Sequence, residues 1–326
     1  MVGVDENGVG PRLGPMTVTM AHATARDVRA ERVARGKPPR SLSSRLGDSK
    51  VLVRFGDTAL GEAWARAWAA SRGIPAPTPE ALFRALSLDD APALERPCPD
   101  GHAAQCWSVA EETFAAPDES VAQAAEDLGA LARRGVVVHR LATVAICARN
   151  LNSAARAGKS RFSVDLSAME RLVLAARGDA GADVLAICGK VGGFDRYGPD
   201  LDHLAHHPRT VICEGRPRSA YRVTGVGQVE FVRDADANHL VVCLASLVGK
   251  WARDLLMKRI VRFYRAMDAS LTDASGYHDP VTARFVEATR LLRRGRPIED
   301  ACFERIKVPE DARRPRSKRA ETLPLF

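Results

Sequence analysis

A chain of 326 residues with 46% hydrophobic and 27% charged residues can bury one sizeable core, or one core with an inserted subdomain, and its composition excludes global disorder. The net charge of +8 admits a polyanionic partner, although part of the excess sits in the C-terminal stretch RRPRSKR. No apolar run of membrane-spanning length and no charged-then-apolar leader is visible, and seven cysteines make no disulfide-like framework in a chain this long, so the expectation is a reducing, cytoplasmic setting without a membrane.

Residues 1–25 predict an apolar strand, a glycine–proline turn and a second strand through MTVTMAHAT. The polar, basic segment that follows, ending in prolines and serines, predicts a short helix and a loop. Leu60, Trp64 and Trp68 at i, i+4 and i+8 predict a helix over 58–71, and IPAPTP a linker. Residues 77–106 read as a helix and a loop rich in proline and cysteine, 117–134 as a helix, and VVVHRLATVAI as a strand. A helix over 166–177 precedes the run ADVLAIC at 182–188, whose length and flanking glycines favour a buried strand. Residues 209–232 predict a long hairpin with turn signals at Gly225 and Gly227, and the strongest helical signal runs from 239 to about 267. Strands alternating with helices predict an α/β fold. We expect one domain over 1–295, with 58–135 as an inserted or extended helical region and C-terminal helices, and a basic, disordered tail over 296–326 that ends in an apolar peptide.

Four local patterns then line up: Gly3-Val4-Asp5-Glu6-Asn7-Gly8-Val9-Gly10-Pro11 closed by Gly14-Pro15; Asp48-Ser49-Lys50; Asp236-Ala237 followed by Ser246, Lys250 and Arg253-Asp254; and Ser275-Gly276-Tyr277-His278-Asp279-Pro280. In this order they resemble type 2 ribonuclease H, the family of ribonuclease HII and its eukaryotic and archaeal counterparts. The resemblance covers roughly residues 1–55 and 180–290 and implies a ribonuclease H-like mixed sheet flanked by helices. It also implies a hydrolase that cuts the RNA strand of RNA–DNA hybrids, or a duplex at an embedded ribonucleotide, with a place in DNA repair.

By that resemblance Asp5, Glu6 and Asp236 are catalytic, metal-binding acids for magnesium or manganese, and two such cations would activate a water and relieve charge on the leaving oxygen. Adjacent strand residues point to opposite faces, so Asp5 and Glu6 share a site only if the strand ends there. Gly8 and Gly10 would let backbone approach the 2′-hydroxyl, and Tyr277 would pack on the neighbouring sugar. Lys50, Ser246 and Lys250 would approach the metal site or a phosphate, Ser246 and Lys250 sharing one helical face.

Two departures stand out. Valine replaces the usual cation between the glycines, and the acid expected at the end of the central strand is absent: one alignment puts Gly189 there, another Cys188. Asp195 or Glu214 are the candidate stand-ins, with Asp183 behind them, and Lys190 could supply a positive charge instead. The expected function is therefore a metal-dependent endonuclease, with a catalytically inactive nucleic-acid-binding protein of the same ancestry as the alternative.

Two further signals are secondary. Cys98, His102 and Cys106 at i, i+4 and i+8 suggest zinc but lack a fourth ligand. Leu323, Leu325 and Phe326 look like the short peptide with which replication and repair proteins dock onto the sliding clamp, without its usual leading glutamine.

Overall fold

The structure is a computed structural model that describes residues 1–99, 104–191, 194–295 and 298–306. In chain order its elements are β1 (Val2–Asn7), β2 (Met16–Ala25), α1 (Val28–Arg35), α2 (Ser49–Leu52), α3 (Ala59–Ser71), α4 (Pro79–Leu86), α5 (Ala91–Glu95) and α6 (Asp118–Arg133). There follow β3 (Val136–Ile146), α7 (Ala148–Arg156), α8 (Arg161–Ala180), β4 (Val184–Gly189), β5 (Arg209–Cys213), β6 (Arg218–Val223) and β7 (Gly227–Val232). The chain then runs through α9 (Ala235–Asn238), α10 (Leu240–Arg265), α11 (Pro280–Ala288), α12 (Arg290–Gly295) and α13 (Asp300–Phe303).

The strands form one mixed sheet in the order β3-β2-β1-β4-β7-β6-β5. The first three are antiparallel, β1–β4 and β4–β7 are parallel, and β6 and β5 return antiparallel. The expected fold class, a mixed sheet flanked by helices, is the one observed. Central strands covered on both faces must be apolar on both sides, and Val2, Gly3 and Val4 of β1 are all buried. Gly3 is required by contact: a Cβ there would lie 2.3 Å from the Val241 carbonyl carbon, because α10 crosses directly over β1.

One face packs against α1, α3, α4, α6 and α10. The opposite face packs mainly against α8 through Phe162, Leu166, Met169, Leu172 and Val173. The 58–135 region supplies α3 to α6, and its Trp64, Trp68, Leu82, Phe83 and Leu131 enter the same core as α10. A third cluster joins the distal half of α10 to α11 and α13 through Tyr264, Phe285 and Phe303. None of the described helices is long and apolar enough to cross a membrane.

Three boundaries differ from those expected. The 209–232 segment is a three-stranded meander rather than one hairpin, because Gly225, at φ +77°, turns the chain inside YRVTGVGQVEFV. Helix α8 starts at Arg161 rather than 166, since the Ser160 side chain caps it by accepting from Ser163 N–H at 3.0 Å. Residues 298–306, the described part of the stretch expected as a tail, pack on the domain: Ile298, Phe303 and Arg305 are buried, and Arg305 donates to the Gly14 and Gly8 carbonyls at 2.8 and 2.6 Å.

Candidate functional site

Ligands of open α/β sheets gather outside the carboxyl ends of parallel strands, and here β1, β4 and β7 end together. Asp5 and Glu6 lie near the end of β1, Gly189 ends β4, and Asp236 follows β7 on α9. A cleft of about 140 Å³ there is lined by Asp5, Glu6, Lys50, Asp236, Ser246 and Lys250, among others. The structure thus brings together the three acids and three of the polar residues expected from sequence.

The two adjacent acids reach one cleft by a route other than the one expected. β1 continues to Asn7, pairing with β2 through Asn7↔Thr17. Its pairing with β4 stops at Val4↔Cys188, however, which leaves the β4 side open beside Asp5 and Glu6. Asp5 shares the α10 face of β1 with Gly3, while Glu6 shares the α8 face with Val2 and Val4. Gly189 lets both carboxylates meet at the strand end: a Cβ built on it would lie 2.6 Å from Asp5 Oδ1 and 3.6 Å from Glu6 Oε2. Gly189, not Cys188, is therefore the position facing the cleft. Cys188 is buried in the α8-side core.

On the α10 face a hydroxyl relay orients Asp5. Ser246 hydrogen-bonds the Asp5 side chain, and Ser49 Oγ lies 2.7 Å from Ser246 Oγ. Lys50 Nζ donates to Asp236 Oδ2 at 3.0 Å, and Asp48 holds the Lys50 turn by accepting from its backbone N–H at 2.8 Å. Burial first, then the charges of Glu6 and Asp236, pushes the Asp5 carboxyl well above the usual carboxylate range. Burial and the Asp165 charge push Glu6 up to about 8. Lys250 is lowered by burial and by the like charge of Lys50.

Asp195 and Glu214 do not fill the gap on β4. Asp195 accepts from the buried Lys190 Nζ at 3.2 Å, and Glu214 from the Tyr221 hydroxyl at 2.6 Å; neither lines the cleft. Lys190 does line it, but its ammonium donates to the Gly215 carbonyl at 2.5 Å. Asp183 lies at the other end of β4, near Arg177 at 3.9 Å. Asp165 on α8 is fully buried with neither carboxylate oxygen hydrogen-bonded, and it too is absent from the cleft lining. Burial and the Asp5 charge push it well above its ordinary range. The residue numbers held one signal for it: Asp165 is three residues after Phe162 and four before Met169, inside the stripe that faces the sheet.

The glycine loop and Tyr277 form the adjoining surface. Gly8 has φ +89°, and a Cβ on it would lie 2.3 Å from Arg253 Nε; Gly10 has open space around its Cβ position. The loop's carbonyls are held by arginines, Arg305 on Gly8 and Arg161 on Val9 at 2.9 Å. Arg12 N–H and Leu13 N–H both donate to the Gly276 carbonyl, which ties the loop to Tyr277. The Tyr277 ring is 46% exposed and lies over the Arg253 guanidinium at 4.8 Å. Its groove shares Asn7 and Lys250 with the acidic cleft.

His102, Leu323, Leu325 and Phe326 lie outside the described residues. Cys98 and Cys106 are near each other and are joined by Cys147 and Cys302, all free thiols raised by burial. Among the described residues no three His, Cys, Asp or Glu side chains stand as a ready ligand set, at these thiols or at the acidic cleft. The donor chemistry of the cleft nevertheless suits magnesium or manganese, since Asp5, Glu6 and Asp236 offer carboxylate oxygens.

No family model and no curated protein matches the chain. Among solved structures it is similar to ribonuclease HII in its PCNA complex from Archaeoglobus fulgidus, at 17% identity and TM-score 0.41 over 95% of this chain and 98% of that one. It is also similar to ribonuclease H2 from Pyrococcus horikoshii OT3, at 14% identity and TM-score 0.40 over 96% of each chain.

Proposed function

We propose that this chain is a divalent-cation-dependent endonuclease acting on RNA–DNA hybrids or on ribonucleotides embedded in duplex DNA. The observation that carries the reading is the convergence of Asp5, Glu6 and Asp236 on one small cleft walled by Lys50, Ser246 and Lys250. Asp5, Glu6 and Asp236 would hold magnesium or manganese, which when bound supplies an activated water and neutralises charge on the leaving oxygen. The chain's own groups do the positioning. Lys50 and Lys250 meet phosphate oxygens, and the Ser49–Ser246 relay keeps Asp5 aimed at the cleft. Gly8 and Gly10 bring backbone up to the 2′-hydroxyl, while Tyr277 packs on the next sugar.

A duplex carrying one ribonucleotide, incubated with magnesium or manganese, tests this. Metal-dependent cleavage that disappears in Asp5→Asn supports it. A second reading, binding without cleavage, is favoured by the missing side chain at Gly189 and by the Lys50–Asp236 ion pair, which already neutralises one acid. Tight binding of that duplex with no cleavage at any metal concentration would establish it. On sequence alone, Leu323, Leu325 and Phe326 are assigned to sliding-clamp docking. Loss of clamp pull-down on deleting residues 321–326 supports that assignment, and unchanged retention ends it.

A further inference from the structure

β2 runs antiparallel to β1, so its last residues lie at the end of the sheet away from the acidic cleft. A hollow of about 430 Å³ opens there, lined by Arg26, Asp27, Arg29, Val33, Arg133 and Arg134. Two turns distant in sequence build it, the one from β2 into α1 and the one from α6 into β3. They are joined where Arg26 N–H donates to the Gly135 carbonyl at 2.9 Å. Only glycine suits that junction: Gly135 has φ +84°, and a Cβ on it would lie 3.0 Å from the Ala30 Cβ and 3.2 Å from the Arg26 Cβ.

The positive charge of the hollow is not answered within the chain. Its one carboxylate, Asp27, is engaged twice, capping α1 by accepting from Ala30 N–H at 2.9 Å and accepting from Arg26 Nε at 3.2 Å. Arg29, Arg133 and Arg134 are exposed and form no ion pair among the described residues. The helix dipoles account for only part of this. Arg133 is favoured by the carboxyl end of α6, but Arg29 stands in the first turn of α1, where the dipole opposes a cation.

The basic row continues toward the cleft. Arg32 follows Arg29 by about one turn on the side of α1 away from the buried Ala30 and Ala34, and Lys37 and Arg40 are exposed beyond it. The carboxyl end of α1 then docks beside the segment that follows Asp236, the Gly36 carbonyl accepting from Leu240 N–H at 2.8 Å. Asp5 pairs with Thr19 on β2, and Arg26 comes seven residues later, so the hollow lies roughly 23 Å from the acids, about seven base pairs along a duplex.

We propose that Arg26, Arg29, Arg133 and Arg134, with Arg32 leading toward the cleft, hold the phosphate backbone of the duplex about seven base pairs from the acids. This rests on the proposed function, since the partner is the same duplex. An open row of exposed guanidiniums matches the repeated phosphates of a polyanion, whereas a site for one small anion encloses its ligand.

Fluorescence anisotropy in chelator tests this with two hairpin-closed duplexes, each carrying one ribonucleotide. The short one extends about four base pairs either side of it and the long one about twelve, so only the long one spans the distance to the hollow. Arg29→Gln combined with Arg134→Gln changes two exposed side chains and is expected to melt like wild type. On the long duplex it is expected to weaken binding about tenfold or more at low salt and to flatten the slope of log affinity against log salt by about 1.8, the value of two phosphate contacts. Binding of the short duplex is expected to match wild type. Arg156→Gln combined with Lys159→Gln, exposed at the turn between α7 and α8, removes equal charge and is expected to change neither. Equal losses on both duplexes, or in the control variant, would reduce the effect to net charge and overturn the proposal. Wild-type slopes in the arginine variant would do the same, and metal-dependent cleavage of the short duplex by wild type would then leave the functional reading standing. Calorimetric binding of inorganic phosphate that the arginine variant abolishes, with long-duplex binding unchanged, would make the hollow a free-anion site instead. Wild type that binds neither duplex would overturn both readings.

Discussion

Lys50 Nζ lies 3.0 Å from Asp236 Oδ2, so the ammonium of α2 and the carboxylate of α9 neutralise each other across the cleft. The Lys50 side chain is 71% exposed while Asp236 is 10% exposed, so the lysine can swing out and the acid stays. Under the proposed function, Lys50 would compete with a cation for Asp236 in the free protein and turn to a phosphate when a duplex binds.

Lys50→Met should accordingly tighten manganese binding to the free protein, by no more than about fivefold, since an exposed ion pair contributes at most about 1 kcal/mol. The same variant should weaken duplex binding and flatten the dependence of log affinity on log salt by about 0.9, the value of one lost phosphate contact. Titrations at several salt concentrations read both effects. A fall in manganese affinity would show that Lys50 supports the site rather than competing for it.

The raised carboxyls make the metal-free protein less stable toward neutral pH. Glu6, raised by burial to about 8, keeps its proton in the folded chain while the unfolded chain loses it near the ordinary value of 4.5. The folded state then binds more protons across that window, and stability falls as pH rises from about 4.5 to about 8, at most about 1.4 kcal/mol per pH unit for one such group. Asp5 and Asp165 are raised in the same direction. In chelator, the melting temperature of wild type should drop between pH 5 and 8 relative to Glu6→Gln. Manganese should recover it at pH 8 and do little at pH 5, where protons hold the ligands. Parallel melting curves for the two proteins would contradict the assignment of Glu6.

Much of the cleft was legible because its residues sit in short motifs. Asp5-Glu6 at a strand end, Asp236 and the Ser246–Lys250 pair on one helical face each carry their own local pattern, and the sheet brings them together. Asp165 carries none. It stands between Val164 and Leu166 in a segment whose apolar stripe predicts a helix only from 166, so it falls outside the expected element. Its burial comes from which face of α8 turns toward the sheet, a fact of packing between distant segments. Sequence likewise could not choose between Cys188 and Gly189, because one step along a strand reverses the face, and only the β1–β4 register decides it.

Gly8 and Gly10 look equivalent in the sequence and differ in the fold. Gly8→Ala must take φ +89° and place a methyl against the largely buried Arg253 side chain at 2.3 Å, so we expect a stability loss of at least about 1–2 kcal/mol from backbone strain alone. Gly10→Ala meets nothing within 4 Å and should melt like wild type. Any loss of duplex binding or cleavage in Gly10→Ala then reports contact with substrate rather than damage to the loop. Chemical denaturation of both variants, beside cleavage of a ribonucleotide-containing duplex and of an all-DNA control for binding, separates the two roles.

Tyr277 offers a similar separation at the far edge of the cleft. One side of its ring rests on the Arg253 guanidinium, which is itself fixed by donating to the Ser275 carbonyl at 3.1 Å, and 46% of the residue remains open to solvent. A ring supported from below and bare above is suited to receive a sugar face. Tyr277→Ala should therefore change the melting temperature little, because nearly half of the residue is already exposed and only its contact with Arg253 is lost. It should weaken binding of the ribonucleotide duplex about fivefold, corresponding to about 1 kcal/mol of lost ring contact. Tyr277→Phe should keep most of that affinity, since the ring face rather than the hydroxyl makes the contact. Equal binding by the alanine and wild-type proteins would place the substrate elsewhere, and a large drop in melting temperature would make Tyr277 a structural lid over Arg253.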